Sequence, residues 1–130
     1  MILILGTGTE NNTLQIRSED GDIKFSNEWP ASHQLSEELP GMIADALQSL
    51  EKDFKDITGV VGFQGPGSYT GLRIGLTVIN AIADQVGAPI VGTQEDKWIE
   101  DGLTKLNDGQ NDKIILPFYG GEANITKPRK

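Results

Sequence analysis

A glycine-rich stretch at residues 65–75, which reads GPGSYTGLRIG, constrains the fold of this chain more than any other segment. An apolar run at residues 57–63 precedes it, and a pattern typical of an amphipathic helix follows it to about Val86. The sequence therefore predicts a buried strand, a tight loop and a helix in succession. This layout either turns a sharp corner or presents backbone N–H groups and the positive end of a helix dipole to an anion.

Composition limits the classes of protein that fit. The 130 residues suffice for one domain with a hydrophobic core, and no apolar run approaches the ~20 residues of a membrane span. The chain has no cysteine, which excludes disulfides and thiolate metal sites. Its formal net charge of −8 disfavours direct binding of nucleic acid. We therefore expect a cytoplasmic protein that binds neither membranes nor, on its own, nucleic acid.

The first half of the chain predicts three strands and a long helix. The strands, at residues 2–5, 13–17 and 22–26, form an antiparallel meander with Asp20-Gly21 in a hairpin turn. The helical pattern then runs from Leu35 to Phe54. Ser32 is its expected N-cap, and Pro40 predicts either a kink or a start nearer Leu39.

The second half predicts a parallel crossover. Gly87 is the expected C-cap of the helix after the glycine-rich loop, and residues 88–92 form a fifth strand parallel to the fourth. A short third helix is expected around residues 98–106, and a last strand at residues 113–119. We divide the chain into a lobe at residues 1–112 and a C-terminal strand and tail at residues 113–130.

The element order predicts an α/β fold. The order β-β-β-α-β-α-β, followed by a short helix and a tail, resembles a single actin-like lobe of the ASKHA, ribonuclease H-like class. Such a lobe has a mixed five-stranded sheet and two main helices. In that architecture, the turn after the first strand and the loop after the fourth strand lie near the nucleotide.

Four segments resemble one protein family. They are MILILGTGTE at the start of the chain, Ser32-His33-Gln34-Leu35 with Leu39-Pro40, the glycine-rich stretch, and APIVG at residues 88–92. Over about residues 1–100 they resemble the TsaB (YeaZ) family. The resemblance implies a non-catalytic paralogue of TsaD that acts with TsaD and the ATPase TsaE to form threonylcarbamoyladenosine in tRNA.

The resemblance also implies which partners and cofactors to expect. A TsaD-like protein is the expected heterodimer partner, a TsaE-like ATPase joins the complex, and tRNA is contacted only indirectly. A homodimer through the same helices is possible. We expect no cofactor on this chain alone, and ATP and a metal in the partner subunits. Family members carry a second lobe after the fifth strand, and we expect that this chain has lost it.

The residues at the corresponding catalytic positions argue against catalysis. Actin-like phosphotransfer enzymes place an Asp after the first strand, where this chain has Gly6. TsaD-type enzymes carry two metal-binding histidines where this chain has Thr93 and Lys97, and an ammonium is no metal ligand. His33 is the only histidine, and a helix-entry role explains it more simply than a general-base role. We therefore predict no catalytic residue and no metal site.

The glycine-rich loop keeps a weaker binding hypothesis. Gly65, Gly67, Ser68 and Thr70 are candidates for contacting an anion or a nucleotide, and Ser68 or Thr70 is also a suitable cap for the next helix. A phosphate cradle usually adds a Lys or an acidic magnesium ligand, and residues 65–71 contain neither. The structural corner is therefore the favoured interpretation.

The two long helices suggest a partner surface. Gly71 and Gly75 are four residues apart and would leave a shallow strip for another helix. Both helices are more apolar than one sheet face requires, and the alternative is that both stripes simply cover the sheet. The predicted partner-binding residues are Leu39, Ile43, Leu47, Gly71, Leu72, Gly75, Leu76, Ile79 and Ala83.

The sequence leaves more than one function open. The leading hypothesis is a non-catalytic scaffold that binds and stabilises a TsaD-type threonylcarbamoyltransferase. The alternatives are a small actin-like nucleotide-binding enzyme, a peptidase-like protein, or a self-associating domain without a tRNA role.

Overall fold

The chain forms one mixed sheet with helices on both faces. A computed structural model describes residues 1–32 and 34–118. Its elements are β1 (Ile2–Gly6), β2 (Asn11–Arg17), β3 (Ile23–Pro30), α1 (Leu35–Ser49), a short 3₁₀ turn (Phe54–Asp56), β4 (Gly59–Gly65), α2 (Tyr69–Val86), β5 (Ile90–Gln94) and α3 (Trp98–Asn107).

The spatial order of the five strands is β3-β2-β1-β4-β5. Strand β2 is antiparallel to both β1 and β3, whereas β4 is parallel to both β1 and β5. The predicted meander, the parallel crossover and the α/β fold class are therefore confirmed. In the described part of the chain, no helix combines the length and hydropathy of a membrane span.

Alternation along the central strands builds a core on each face of the sheet. Leu3 and Leu5 of β1 point to the face covered by α1 and α2. Ile2 and Ile4 point to the other face, where they pack with β4, β5 and the apolar side of α3. Because β1, β4 and, in part, β5 are buried on both faces, they are apolar at nearly every position.

Helix α1 starts where the helical pattern starts, but its N-cap and its last residue differ from the prediction. It begins at Leu35, because Leu35 continues the buried stripe of the helix, and it contains Pro40. Of the two alternatives predicted from Pro40, the start nearer Leu39 is therefore wrong, and a kink at Pro40 stays a prediction. Gln34 takes the N-cap position, and the Ser32 hydroxyl accepts a hydrogen bond from the Gln34 N–H at 3.2 Å instead of capping the helix. The helix ends at Ser49, before the separate 3₁₀ turn.

The segment after α3 crosses an edge of the sheet instead of adding a strand. Residues 111–118, which we call the crossing segment, contain no strand, so the strand predicted from residue 113 is wrong as far as residue 118. The Asp112 N–H donates to the Ile90 carbonyl of edge strand β5 at 2.8 Å. Ile115 and the Asn80 side chain of α2 then exchange two hydrogen bonds of 2.8 and 2.9 Å.

The crossing segment contributes to the core of the lobe. Ile115 is buried in the cluster beneath α1 and α2. The boundary predicted after residue 112 stays a prediction, although the Ile115 side chain packs as part of the lobe. Residues 119–130 of the predicted tail lie outside the described residues.

The Glu19 carboxylate links the start of the chain to Thr58, the residue before β4. Glu19 accepts hydrogen bonds from the Met1 ammonium and, at 2.6 Å, from the Thr58 hydroxyl. The hydrogen bond from the ammonium, and after it the one from Thr58, lower the pKa of Glu19 from its ordinary value of 4.5 to about 2. Because the folded-state pKa is depressed, this contact stabilises the fold above about pH 4.5, and the stabilisation is lost as the pH falls towards 2.

Candidate functional site

The glycine-rich loop packs against the turn that follows β1. The Ser68 N–H donates to the Gly8 carbonyl at 2.8 Å, and the Thr7 hydroxyl donates to the Gly71 carbonyl at 2.6 Å. Thr7 is buried in this contact. The loops at the carboxyl ends of β1 and β4 are therefore joined, at the end of the sheet where the sequence predicted the functional region.

Two glycines of α2 are needed for this packing. A Cβ added at Gly71 would lie 2.7 Å from the Gly8 Cα atom, and one at Gly75 would lie 2.2 Å from the Thr7 Oγ1 atom. Both separations are too short for real atoms. The strip that Gly71 and Gly75 form is therefore occupied by the chain's own turn after β1. The prediction that it is open to another protein is wrong.

The other residues predicted to contact a partner are also interior. They are at most 4% exposed, and they are Leu39, Ile43, Leu47, Leu72, Leu76, Ile79 and Ala83. All of them except Leu72 belong to the core cluster that also contains Leu3, Leu5 and Val60 of the sheet. The alternative that the sequence left open, in which these stripes cover the sheet, therefore describes these six side chains.

Ser68 caps helix α2, as one of the two predicted candidates. Its Oγ atom accepts a hydrogen bond from the Gly71 N–H at 3.1 Å, and Gly87 ends the helix in the left-handed region with φ 74°. The N–H groups of Ser68 and Gly71 therefore have partners within the protein. This supports the corner interpretation, while an anion or nucleotide contact by Gly65, Gly67, Ser68 or Thr70 stays a prediction.

A cleft of about 310 Å³ lies at the carboxyl ends of the central strands, on the α3 side of the sheet. Its lining residues are Gly6, Thr9, Asn11, Thr13, Phe63, Pro66, Glu95, Asp96 and Trp98. This is where the element order predicts a nucleotide in relatives that bind one. The chemistry of the cleft therefore tests whether the chain can act on a phosphate or bind a metal.

An aromatic pair packs against Gly6, which stands where the resemblance to actin-like phosphotransfer enzymes implies an Asp. A Cβ added at Gly6 would lie 2.7 Å from the Trp98 Cζ2 atom. The Trp98 and Phe63 rings pack with centroids 5.4 Å apart. An aspartate at residue 6 would therefore require the indole to move. The sequence showed that the carboxylate is missing but not that Trp98 covers its position.

Neither residue at the two expected histidine positions offers a metal ligand. The Thr93 hydroxyl is buried and donates to the Trp98 carbonyl at 2.6 Å, whereas Lys97 is exposed at the N-cap of α3. Within residues 1–32 and 34–118, no group of three or more His, Cys, Asp or Glu side chains is placed to hold a metal ion. His33 lies outside the described residues.

Three buried polar atoms, on Asn12 and Trp29, belong to residues that were not among the predicted functional residues. Asn12 is fully buried, and its Oδ1 and Nδ2 atoms have no hydrogen-bond partner among the described residues. The buried Nε1 atom of Trp29 is likewise without a partner there. A signal was available for Asn12, because it has the same parity in β2 as the buried Leu14 and Ile16, where an apolar residue is expected.

Comparison with known proteins relates the chain to tRNA modification. The family model described as "TsaD: tRNA N6-adenosine threonylcarbamoyltransferase" matches residues 29–99, which is more than half of the chain. A tRNA N6-adenosine threonylcarbamoyltransferase of Caldivirga maquilingensis is 33% identical over 86 residues, which cover 65% of this chain and 25% of that protein.

Two further matches are to TsaB and YeaZ. The tRNA threonylcarbamoyladenosine biosynthesis protein TsaB of Escherichia coli is 27% identical over 111 residues, which cover 81% of this chain and 47% of TsaB. YeaZ from Pseudomonas aeruginosa matches with a TM-score of 0.66 at 22% identity, over 72% of this chain and 43% of YeaZ.

The chain thus spans between a quarter and about half of the length of these relatives. The matched residues 29–99 contain α1, the glycine-rich loop, α2 and β5. The chain therefore belongs to the TsaD family, and it is a homologue of TsaB (YeaZ), a protein of tRNA threonylcarbamoyladenosine biosynthesis.

Proposed function

We propose that the chain is a non-catalytic scaffold subunit for tRNA threonylcarbamoyladenosine modification, and that it binds and stabilises a TsaD-type threonylcarbamoyltransferase. The observation that carries this proposal is the packing of Trp98 over Gly6, within a chain of the TsaD family. The chain keeps the glycine-rich loop and its helix, but the Trp98 indole fills the space beside Gly6 that an aspartate side chain would need. This arrangement supports a structural role.

The remaining chemistry of the cleft supports the same proposal. Thr93 is engaged with the backbone of α3, and Lys97 lies at an exposed N-cap. On this proposal the chain binds no cofactor alone, the partner subunits hold ATP and the metal, and tRNA is contacted only through them. The net charge of −8 fits an indirect role in tRNA binding.

The outward side of the α1–α2 pair is the partner surface that we propose. A groove between the two helices is lined by Ser36, Thr70, Arg73, Ile74, Thr77 and Val78. Ile74 and Val78 are half-buried, whereas Thr77 between them is exposed. A helix of a TsaD-like partner laid along this groove would complete the burial of the two aliphatic side chains. A homodimer would compete for the same surface.

Thr77→Arg tests this surface. The substitution places a long charged side chain on the groove, at an exposed helical position where arginine is well tolerated. We expect at least a ten-fold weaker complex with the TsaD-like protein of the same organism, measured by size exclusion with light scattering and by calorimetry. Thr104→Arg on α3 is the matched control, because Thr104 is equally exposed on the opposite side of the sheet. It should leave the affinity unchanged.

Other outcomes would favour other functions. If the wild-type chain forms no complex with the TsaD-like protein, even with the TsaE-like ATPase and ATP present, the scaffold proposal fails. Binding of ATP or a metal by the isolated chain would favour a small actin-like nucleotide-binding enzyme, and hydrolysis of peptides a peptidase-like protein. A homodimer that excludes the TsaD-like protein would favour a self-associating domain.

A further inference from the structure

Another groove lies between α2 and the crossing segment. It measures about 340 Å³, and Tyr69, Arg73, Thr77, Ile115 and Leu116 are among its lining residues. Arg73 and Thr77 also line the groove between α1 and α2, so the two grooves meet along the outward ridge of α2. The surface proposed for the partner therefore continues on the other side of this ridge.

Large apolar side chains are exposed around this groove. Tyr69 is 58% exposed and Leu116 is 68% exposed, and Ile114 and Phe118 of the crossing segment are exposed as well. Elsewhere in residues 1–32 and 34–118, Ile23 is the one other large apolar side chain that is exposed. Exposed apolar groups that gather in one place, instead of being scattered, are typical of a protein-binding surface.

The backbone that carries Leu116 is fixed on both sides. The preceding residue, Ile115, exchanges two hydrogen bonds with the Asn80 side chain, and the Leu116 carbonyl accepts from Gln64 Nε2 at 2.9 Å. The Phe118 N–H then donates to the Gln64 carbonyl at 2.7 Å. Little backbone entropy is therefore lost when a partner covers Leu116, which favours this side chain as an anchor.

Of the described residues that line the groove, only Arg73 is charged. Its Cζ atom lies 5.2 Å from the centroid of the Tyr69 ring, and its Nη1 group donates to the Tyr69 hydroxyl at 3.4 Å. Within residues 1–32 and 34–118 it forms no ion pair, and the residues three and four positions away along α2 are uncharged. The guanidinium is thus held in place with N–H donors available for a carboxylate.

The charge of the rest of the chain restricts where a carboxylate of a partner can lie. The net charge of −8 disfavours an acidic segment over most of the surface, and α1 carries Glu37 and Glu38 in its first turn. Arg73 offers the opposite charge beside the exposed Leu116. An ion pair at this position would fix the register and the orientation of a bound segment.

We propose that this groove extends the partner surface, and that it receives a segment of the TsaD-type partner in which a carboxylate stands beside an apolar side chain. The carboxylate accepts two hydrogen bonds from the Arg73 guanidinium, and the apolar side chain covers Leu116. This inference rests on the scaffold function proposed above, and it names the chemistry that the partner presents.

Arg73→Gln tests the charge. The substitution removes the guanidinium and keeps a good helix former at an exposed position. We expect about ten-fold weaker binding to the TsaD-like protein of the same organism, measured by calorimetry, because a charge-assisted pair is lost. The affinity of the wild-type chain should fall as the ionic strength rises, and that of Arg73→Gln should fall less.

Lys97→Gln is the matched control for the charge. It also removes one positive charge, but from an exposed position at the start of α3, on the other face of the sheet. Both the affinity and its dependence on ionic strength should remain those of the wild-type chain.

Leu116→Ala tests the apolar anchor. We expect about ten-fold weaker binding, because the methyl groups that the partner covers are removed. Ile114→Ala is the matched control, since Ile114 is 64% exposed in the same segment but does not line the groove, and it should leave the affinity unchanged. Both side chains are exposed, so unfolding in urea should show wild-type stability for both variants.

Four results would overturn the inference, and they separate it from the scaffold proposal. If the wild-type chain binds the TsaD-like protein and both Arg73→Gln and Leu116→Ala bind equally well, the scaffold function stands and only this inference is wrong. Tighter binding by Arg73→Gln would mean that the partner presents a cation at this position.

The other two results concern the partner itself. Self-association of the isolated chain that Leu116→Ala abolishes, with binding of the TsaD-like protein unchanged, would assign the groove to a second copy of this chain. Light scattering of the isolated variants detects this outcome. If the wild-type chain forms no complex at all, the scaffold proposal fails and this inference fails with it.

Discussion

The missing side chains of Gly6 and Gly75 decide what packs beside the first strand. At Gly6 the space is taken by the Trp98 indole, and at Gly75 by the Thr7 side chain, whose hydroxyl also bonds the carbonyl of Gly71. A side chain at Gly6 would push the Trp98 indole of α3 away from β1, and one at Gly75 would push α2 away from the turn after β1. These glycines are thus required by contacts within the chain.

Gly75→Ala should therefore destabilise the protein although alanine is the better helix former. The new Cβ would lie 2.2 Å from the Thr7 Oγ1 atom, so the turn after β1 must shift. We expect a net loss of about 1–2 kcal/mol in the free energy of unfolding, from overpacking less the gain in helix propensity. Urea unfolding measures this value.

Gly41→Ala is the matched control within α1. A Cβ there would meet nothing within 4 Å, so only propensity changes and stability should rise by about 0.5–1 kcal/mol. Equal effects of the two substitutions would mean that the Thr7 contact does not hold α2 against β1.

At the scale of single elements, α2 is placed by its first turn. Ser68 caps the helix and, through its own N–H, holds the turn after β1. Ser68 thus fixes both where α2 begins and how far the helix start lies from the turn after β1. The following exposed side chains, including Arg73 and Thr77, are thereby placed along the groove proposed as the partner surface.

Ser68→Ala should cost about 1 kcal/mol of stability, because it removes the side-chain acceptor for the Gly71 N–H. Thr70→Ala, two residues later and equally exposed, removes no cap and should change stability by less than about 0.5 kcal/mol. Thermal and urea unfolding of both variants compare them directly. A larger loss of stability for Thr70→Ala than for Ser68→Ala would contradict the assignment of Ser68 as the cap.

For the molecule as a whole, the crossing segment links the two layers of helices. It leaves α3 on one face of the sheet, passes the edge strand β5, and inserts Ile115 among the residues beneath α2. Gly62 of β4 makes room for it, because a Cβ there would lie 2.5 Å from the Ile115 Cδ1 atom. The end of the described chain is thus part of the packing of its centre.

Ile115→Ala and Ile114→Ala test this contribution as neighbouring substitutions of the same kind. Ile115 is 2% exposed and should lose about 2–5 kcal/mol on truncation, whereas Ile114 is 64% exposed and should lose less than about 0.5 kcal/mol. Chemical denaturation gives both values. Similar small losses would instead support a separate tail that begins after residue 112.

Local signals in the sequence were enough for most of the fold. Periodicity and turn residues predicted all five strands, the three helices, the parallel crossover and the Gly87 cap, because each depends on neighbours close in the chain. The family resemblance, and not periodicity, implied that Gly6, Thr93 and Lys97 stand where related enzymes carry acidic or metal-binding groups. The start of the helical pattern at Leu35 was correct, but the N-cap is Gln34 and not Ser32, and α1 ends at Ser49 and not at Phe54.

Which surface each apolar or small residue meets was decided only by the tertiary structure. Seen along the sequence, the Gly71–Gly75 strip and the leucine stripes suit a partner as well as they suit the chain's own sheet. Periodicity says that a face is buried but not by what, and the burying contacts come from residues distant in sequence, such as Thr7 for Gly75 and Trp98 for Gly6. The unpaired Asn12 and Trp29 likewise become visible only when β2, β3 and the two helices enclose them.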